Sequence, residues 1–313
     1  MKKYLPLIAL AFLAALPLMG LSSHVLHLII LVLIWSIVGM AWNLLSGYCG
    51  QVSFGHAAFF GVGAYTAGIL YLHGQVSSWW GLPASIVVAT IFSFLLGLIV
   101  LRLRGPFFTL ATLASGEIIR VLAENLVWLT KGNTGILLQE RTWVDKTNYY
   151  YIALAIATVT FLVIRLLVRS KLGYYFVAIR EDQDAADSLG IDSTWYKTIA
   201  LCISGAITGI AGAFYTNYMG YIDPQIVFSL PDVSTITIMI VMIGGVATYF
   251  GPFVGAIIMV LLGEAIRSIP GLGAAHLAFF GTLLILIIIF LPNGIVGGFQ
   301  KIIRRFNFGG TSQ

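Results

Sequence analysis

The chain has 313 residues, of which 59% are hydrophobic and only 9% charged, against roughly 25% charged in soluble domains; its mean hydropathy is +0.97. That composition excludes an ordinary soluble enzyme and fits an all-α, polytopic helical membrane protein forming one transmembrane domain over 1–313. The net charge of +5 is not gathered into a basic run or an aromatic-basic patch, and no metal-ligand cluster, phosphate-binding loop or nucleophile elbow is present.

The N-terminus, MKKYLPLIALAFLAALPLMG, has the two lysines and apolar run of a signal peptide. It lacks a convincing small-x-small cleavage site and more hydrophobic spans follow at once, so it reads as a first spanning helix rather than a signal peptide. A span needs roughly 20 apolar residues, and ten candidates follow in order: 4–20, 25–46, 55–72, 81–101, 106–129, 149–168, 197–219, 234–249, 252–267 and 273–291. The abundance of glycine, 34 residues, fits close helix packing in a bilayer. Glycines recur in pairs, Gly61 and Gly63, Gly209 and Gly212, Gly244 and Gly245, without a convincing repeat. Cys49 and Cys202 lie in apolar surroundings and read as packing residues rather than a disulfide.

Between the second and third spans, Asn43, Ser46, Gly47, Gly50, Gln51, Ser53, Gly55 and His56 make a polar, glycine-rich break. Irregular backbone at membrane depth is tolerated only where protein buries it or it lines a wet cavity. A helix beginning near Ser53 would turn free N–H groups and a positive dipole end toward a passing carboxylate. The other reading is a tight connection between packed helices, with His56 a hydrogen-bonded structural residue.

In the fifth span Glu117, Arg120 and Glu124 fall on one helix face. Charge in lipid is costly, so this face is expected to turn into the bundle. There it acts either as an ion-pair staple between helices or as part of a translocation route. Two turn-rich segments, Thr130–Gly135 and Tyr221–Pro231, could form an external docking surface.

The stretch from Arg169 to Trp195 is far more polar than its flanks, with Arg180, Glu181, Asp182, Asp184, Asp187 and Asp192. A short helix is expected from about Val177 to Ser188, stopped by a left-handed Gly190. Such a helix lying across the membrane face is a handle for a second protein, although an ordinary solvated loop has the same charge and length. Basic residues orient the chain. With the N-terminus inside, 12 of the 17 Lys and Arg fall on the cytoplasmic side, 4 outside and 1, Arg120, within a span. This puts both termini and the Arg169–Trp195 segment in the cytoplasm. Near the C-terminus LPNGIVGG, from Leu291, ends the last span, and the basic tail reads as an inner-face anchor.

Taken in order, NLLSGYCGQVSFGHAAFFGVGAYTAGIL, RLRGPFFTLATLASGEIIRVL, LTKGNTGI, SKLGYYFVAIREDQDAADSLGID, GGVATYFGPFVGA and LPNGIVGG resemble the permease subunits of bacterial branched-chain amino acid ABC importers, closer to their M type. The resemblance runs from about Asn43 to Gly298; before about residue 40 little of it is present. Ala178, Arg180, Ala185, Gly190 and Ile191 are its most specific positions. It implies that Arg169–Trp195 is the coupling helix docked on a cytoplasmic ATPase, with Arg180, Glu181, Asp184 and Asp187 contacting or orienting that subunit. It also implies a second homologous permease, two ATPase subunits and a periplasmic solute-binding protein as partners. The chain itself is expected to be no enzyme and to hold no cofactor, ATP and magnesium being bound by the partner subunits in the inner membrane assembly. Candidate path residues are Asn43, Gln51, Ser53, His56, Glu117 and Arg120. Related permeases carry urea, amides or other amino acids. An ion-coupled transporter working alone would instead use Glu117, Arg120 and Glu124 as a relay.

Overall fold

The computed structural model describes residues 13–138 and 145–268, together with 278, 279, 281, 282, 285, 289 and 294–298. Ten α-helices of six residues or more organise these residues: α1 (Ser23–Trp42), α2 (His56–Gly74), α3 (Gly81–Val100), α4 (Pro106–Asn125), α5 (Lys146–Arg169), α6 (Lys171–Glu181), α7 (Gln183–Ser188), α8 (Ser193–Met219), α9 (Ile236–Gly244) and α10 (Gly251–Arg267). Their starts follow local chemistry. Ser22, Asp145 and Asp192 accept backbone N–H groups at the first turns of α1, α5 and α8, satisfying donors that have no partner within the helix. Pro106 occupies the first position of α4, where no N–H is needed.

Among the described residues, six helical stretches are long and apolar enough to cross a membrane: Ser23–Tyr48, Ser78–Val100, Pro106–Asn125, Lys146–Arg169, Ser193–Met219 and Pro224–Gly244. The spans expected at 55–72 and 252–267 correspond to α2 and α10, which are shorter or less apolar. The expected first span, 4–20, lies mostly outside the described residues, and that at 273–291 is represented there only by isolated positions. The span expected to reach residue 129 ends at Asn125 and resumes as a single turn, Val127–Thr130.

The core is built around α8, which packs between α2 and α3. Small residues make that approach possible. A Cβ on Gly63 of α2 would lie 2.0 Å from the Gly209 carbonyl oxygen of α8, and one on Gly212 would lie 2.0 Å from that of Phe60. Of the glycines paired in the sequence, Gly63 and Gly209 meet each other across this interface, whereas Gly61 faces the Phe228 ring and Gly244 packs on Gly251. Lipid offers no hydrophobic advantage to helix association, so such backbone approach and the dispersion contacts it permits carry the packing. Phe59, Phe60, Phe214 and Tyr150 fill the space around it and are fully buried.

Two ends of the bundle are defined by contacts. Arg104, in the turn between α3 and α4, forms an ion pair with Asp184 of α7 at 2.7 Å. At the opposite end Lys146 donates to the Ser23 carbonyl at 3.1 Å, and strands β1 (Ile136–Leu137) and β2 (Tyr221–Ile222) pair antiparallel. The two turn-rich segments expected to face one side are thus joined by a short ribbon.

Candidate functional site

The glycine-rich break and the polar Arg169–Trp195 segment, far apart in sequence, meet at one end of the bundle. α1 does not stop at Trp42 but widens into a π-helical turn, Asn43–Tyr48, and the chain then runs without regular structure to His56. Asn43 is buried and holds this turn to the connection between α9 and α10. Its amide donates to the Thr248 carbonyl at 2.9 Å, and its oxygen accepts the Ala247 N–H at 2.8 Å. Ala247 sits at φ +56, a conformation unfavourable for a residue with a Cβ, so the Asn43 bond fixes a strained turn. Ser46 donates to the Gln51 carbonyl at 2.9 Å, Ser53 accepts the Gly55 N–H at 3.1 Å, and the Trp42 indole reaches the Ser53 carbonyl at 2.8 Å. From α4, Thr109 donates to the Val52 carbonyl at 2.9 Å and Thr112 accepts the Phe54 N–H at 3.1 Å.

His56 is fully buried. The Ser204 hydroxyl donates to the Ala41 carbonyl at 2.8 Å, so His56 Nε2, 2.9 Å away, is the donor to Ser204. This is the structural role considered for His56 in the sequence. Not every N–H group at the start of α2 is free for a passing ligand, since the Ala58 N–H goes to the Gly55 carbonyl at 3.0 Å. Ser234, from the π-helical turn Leu230–Thr235, accepts the Ala57 N–H at 2.9 Å, so that part of the helix start is capped within the protein.

The polar segment differs from the single helix expected over Val177–Ser188. It forms α6 and α7, broken at Asp182, whose φ of −155° is extended. The break has a local cause: the Asp182 carboxylate accepts the Ala185 N–H at 3.0 Å and starts α7 as its N-cap. Gly190 follows at φ +85, the left-handed stop read from the sequence. Asp187 accepts both the backbone N–H and the hydroxyl of Ser193, each at 3.1 Å. These bonds hold its carboxyl below the ordinary carboxylate range. Ala178 and Ile191 are half-buried, whereas Glu181, Asp184, Ala185, Asp187 and Gly190 are exposed. Beside these acidic residues two large apolar side chains stand in the open, Leu189 at 82% and Tyr174 at 73% exposure.

Arg180 joins the two regions. Its guanidinium pairs with Glu181 and donates to the Gly47 carbonyl at 3.0 Å. A Cβ on Gly50, which has φ +75, would lie 2.7 Å from Arg180 Cγ and 3.0 Å from its Cα. The break therefore rests directly on α6. Lys197, buried near the start of α8, donates to Gln183, and Gln183 donates to Ser193 at 2.9 Å, so α7 is tied to α8 as well. Ala247, Thr248, Ser204, Ser234, Gln183 and Lys197 were not singled out in the sequence; only Lys197, a charge at the edge of an apolar run, gave a signal.

Glu117, Arg120 and Glu124 form an ion-pair ladder, but not the inter-helix staple considered for them. Arg120 pairs with Glu117 and Glu124 along α4 itself. Glu117 is 52% exposed, whereas Arg120 and Glu124 are 23% and 17% exposed, so the ladder runs along the flank of α4 and reaches its outward face at Glu117. Of the candidate path residues, Asn43, Gln51, Ser53 and His56 thus gather at the break, while Glu117 and Arg120 stand apart from them.

A family profile described as "Branched-chain amino acid transport system / permease component" matches residues 24–288, beginning earlier than the sequence blocks suggested. The chain is 30% identical to the high-affinity branched-chain amino acid transport system permease protein LivM of Escherichia coli K12, over 94% of this chain and 75% of that protein. It is likewise 30% identical to LivM of Salmonella typhimurium LT2, over 84% of this chain and 68% of that one. It is 24% identical to the permease protein BraD of Pseudomonas aeruginosa PAO1, over 84% of this chain and 91% of its relative. No solved structure matches the chain.

Proposed function

The chain belongs to the permease components of branched-chain amino acid transport systems, and from that premise we propose that it is the membrane-spanning subunit of an ATP-driven importer for leucine, isoleucine and valine. The observation that carries the proposal is the contact between α6 and the broken helix, through Arg180, Gly47 and Gly50. A permease whose fuel is burned by another protein needs a surface to be pushed and a rigid link from that surface into the bundle. Exposed Leu189, Tyr174, Glu181 and Asp184 supply the first; Arg180 supplies the second.

In this reading α6 and α7 are the coupling element and face the cytoplasm, with both termini on the same side, as the distribution of basic residues favours. The partners are a second permease, two ATPase subunits that bind ATP and magnesium, and a binding protein that delivers substrate from outside. Closure of the ATPase pair displaces α6. Arg180 carries that displacement to the π-helical turn at Asn43–Tyr48, and from there Asn43 passes it to the turn between α9 and α10. Paired permeases alternate between inward- and outward-facing states, and each ligand shifts that balance only by its differential affinity for them. Specificity rests mainly with the binding protein, because a tight site within the membrane would slow release.

Transport by the purified complex in proteoliposomes tests the proposal. Leucine uptake is expected to need ATP on the coupling side, to persist with ionophores present, and to be competed by isoleucine and valine but not by urea. Uptake driven by an ion gradient without ATP would contradict it.

A further inference from the structure

Three helices lie at the periphery of the chain, and the outward faces of two of them suit hydrocarbon. α3 exposes Ile91, Leu95 and Leu98, and α5 exposes Val159, Leu162 and Leu166. α4 differs. Its exposed positions include Leu110, Ala114, Val121 and, beside them, Ile118 and Leu122, but Glu117 stands among these near the middle of the helix as the exposed end of the Glu117–Arg120–Glu124 ladder, whose Arg120 and Glu124 are 23% and 17% exposed. Ionised side chains at that depth are expensive against lipid and normally face protein or a wet cavity. The ladder contributes no staple, since both of its ion pairs lie within α4. Beside Glu117, a Cβ added to Gly116 would meet nothing within 4 Å, so this part of α4 has room next to it.

Resting on the importer reading, we propose that the outward face of α4 lines the passage between this chain and the second permease, and that the ladder receives the zwitterionic head group of the travelling amino acid. Two carboxylates share one guanidinium, leaving one negative charge in excess. An incoming α-carboxylate takes a place on Arg120, and the α-ammonium takes the carboxylate thereby released, Glu117, the more exposed of the two. Each ion pair broken within the ladder is replaced by one with the substrate, so contact is made without the tight holding that would delay release. α4 is also linked to the coupling element: Thr109 and Thr112 grip the backbone at Val52 and Phe54, in the same break that rests on Arg180.

The test uses the complete transporter in proteoliposomes, with Cys49→Ala and Cys202→Ala as background. Single cysteines are placed on α4 (Ala114→Cys, Val121→Cys) and, as controls, on α3 and α5 (Ile91→Cys, Leu162→Cys). A charged, membrane-impermeant thiol reagent is expected to label the α4 positions and not the controls, and leucine is expected to slow that labelling. Glu117→Gln is expected to raise KM for leucine about tenfold, the worth of one charged hydrogen bond, and Glu117→Asp should recover most of the loss. α4 cysteines as inert as the controls in a complex that imports leucine, or an unchanged KM in Glu117→Gln, would overturn this inference and leave the importer reading standing. Absence of ATP-driven leucine uptake by the parent complex would overturn the importer reading, and this assignment of substrate with it.

Discussion

Replacing Arg180 with Gln removes the charge that links α6 to the broken helix while keeping much of the aliphatic stem. Arg180 donates to the Gly47 carbonyl at 3.0 Å and pairs with exposed Glu181, and its side chain is 33% exposed. A hydrogen bond from a charged donor contributes about 1.5–3 kcal/mol when well buried. Solvent at this exposure reduces that, and the pair with Glu181 is a surface ion pair worth about 0–1 kcal/mol. A net loss of about 1–1.5 kcal/mol follows, equivalent to roughly a five- to tenfold shift in a two-state equilibrium. The bond lies at the junction and not in the packed core, so the shift should appear in transmission more than in folding. Measured side by side in proteoliposomes, leucine uptake by the assembled variant is expected to fall about five- to tenfold while ATP hydrolysis and subunit composition stay near normal. An unchanged ratio of leucine moved to ATP hydrolysed would refute the reasoning, because Arg180 would then be a surface residue that happens to touch Gly47.

Other substitutions probe the same construction. Gly190→Val forces a β-branched residue into φ +85, at about 1–3 kcal/mol; because nothing crowds the site, membrane insertion should survive while uptake uncouples from hydrolysis. Asn43→Ala strips partners from the Ala247 N–H and the Thr248 carbonyl and should cost about 2–4 kcal/mol, read as a lowered Tm in detergent, whereas a Tm unchanged within error would remove Asn43 from the account. Gly63→Ala drives a methyl group to within 2.0 Å of the Gly209 carbonyl and should destabilise by at least about 1–3 kcal/mol, seen as loss of the monodisperse species in size-exclusion chromatography. Asp187 is held below its unfolded carboxyl value, so its stabilising bonds are complete above about pH 4 and are lost as pH falls through the folded value. Asp187→Ala should therefore lower Tm at pH 7 and make progressively less difference as the pH is taken below about 4.

Much of the helical layout was legible because apolar runs, caps and breakers are local signals. The helices α1 to α5 and α8 to α10 each coincide with an expected span, and Gly190 adopts its expected left-handed turn. What was not legible depends on which residues meet. Asp182 looked like one more charge in a polar helix, yet its short carboxylate competes for the backbone N–H of Ala185 and cuts the helix in two. The ladder on α4 was expected to face inward because charge shuns lipid. That rule names the surroundings a charge requires but not the chain that supplies them, and here the chain's own bundle leaves Glu117 exposed. The meeting of Arg180 with Gly47 and Gly50 joins segments about 130 residues apart; neither periodicity nor spacing carries such a contact. Gly63 and Gly209 were visible as small residues, and only their mutual approach required the fold.

The measurement that bears most directly on the central claim is ATPase activity of the co-purified complex in lipid, with and without a leucine-loaded binding protein. The account expects this chain to bring ATPase subunits and a second permease with it, and expects the loaded binding protein to stimulate hydrolysis in the parent complex. A chain that purifies alone and moves leucine on an ion gradient would contradict the account.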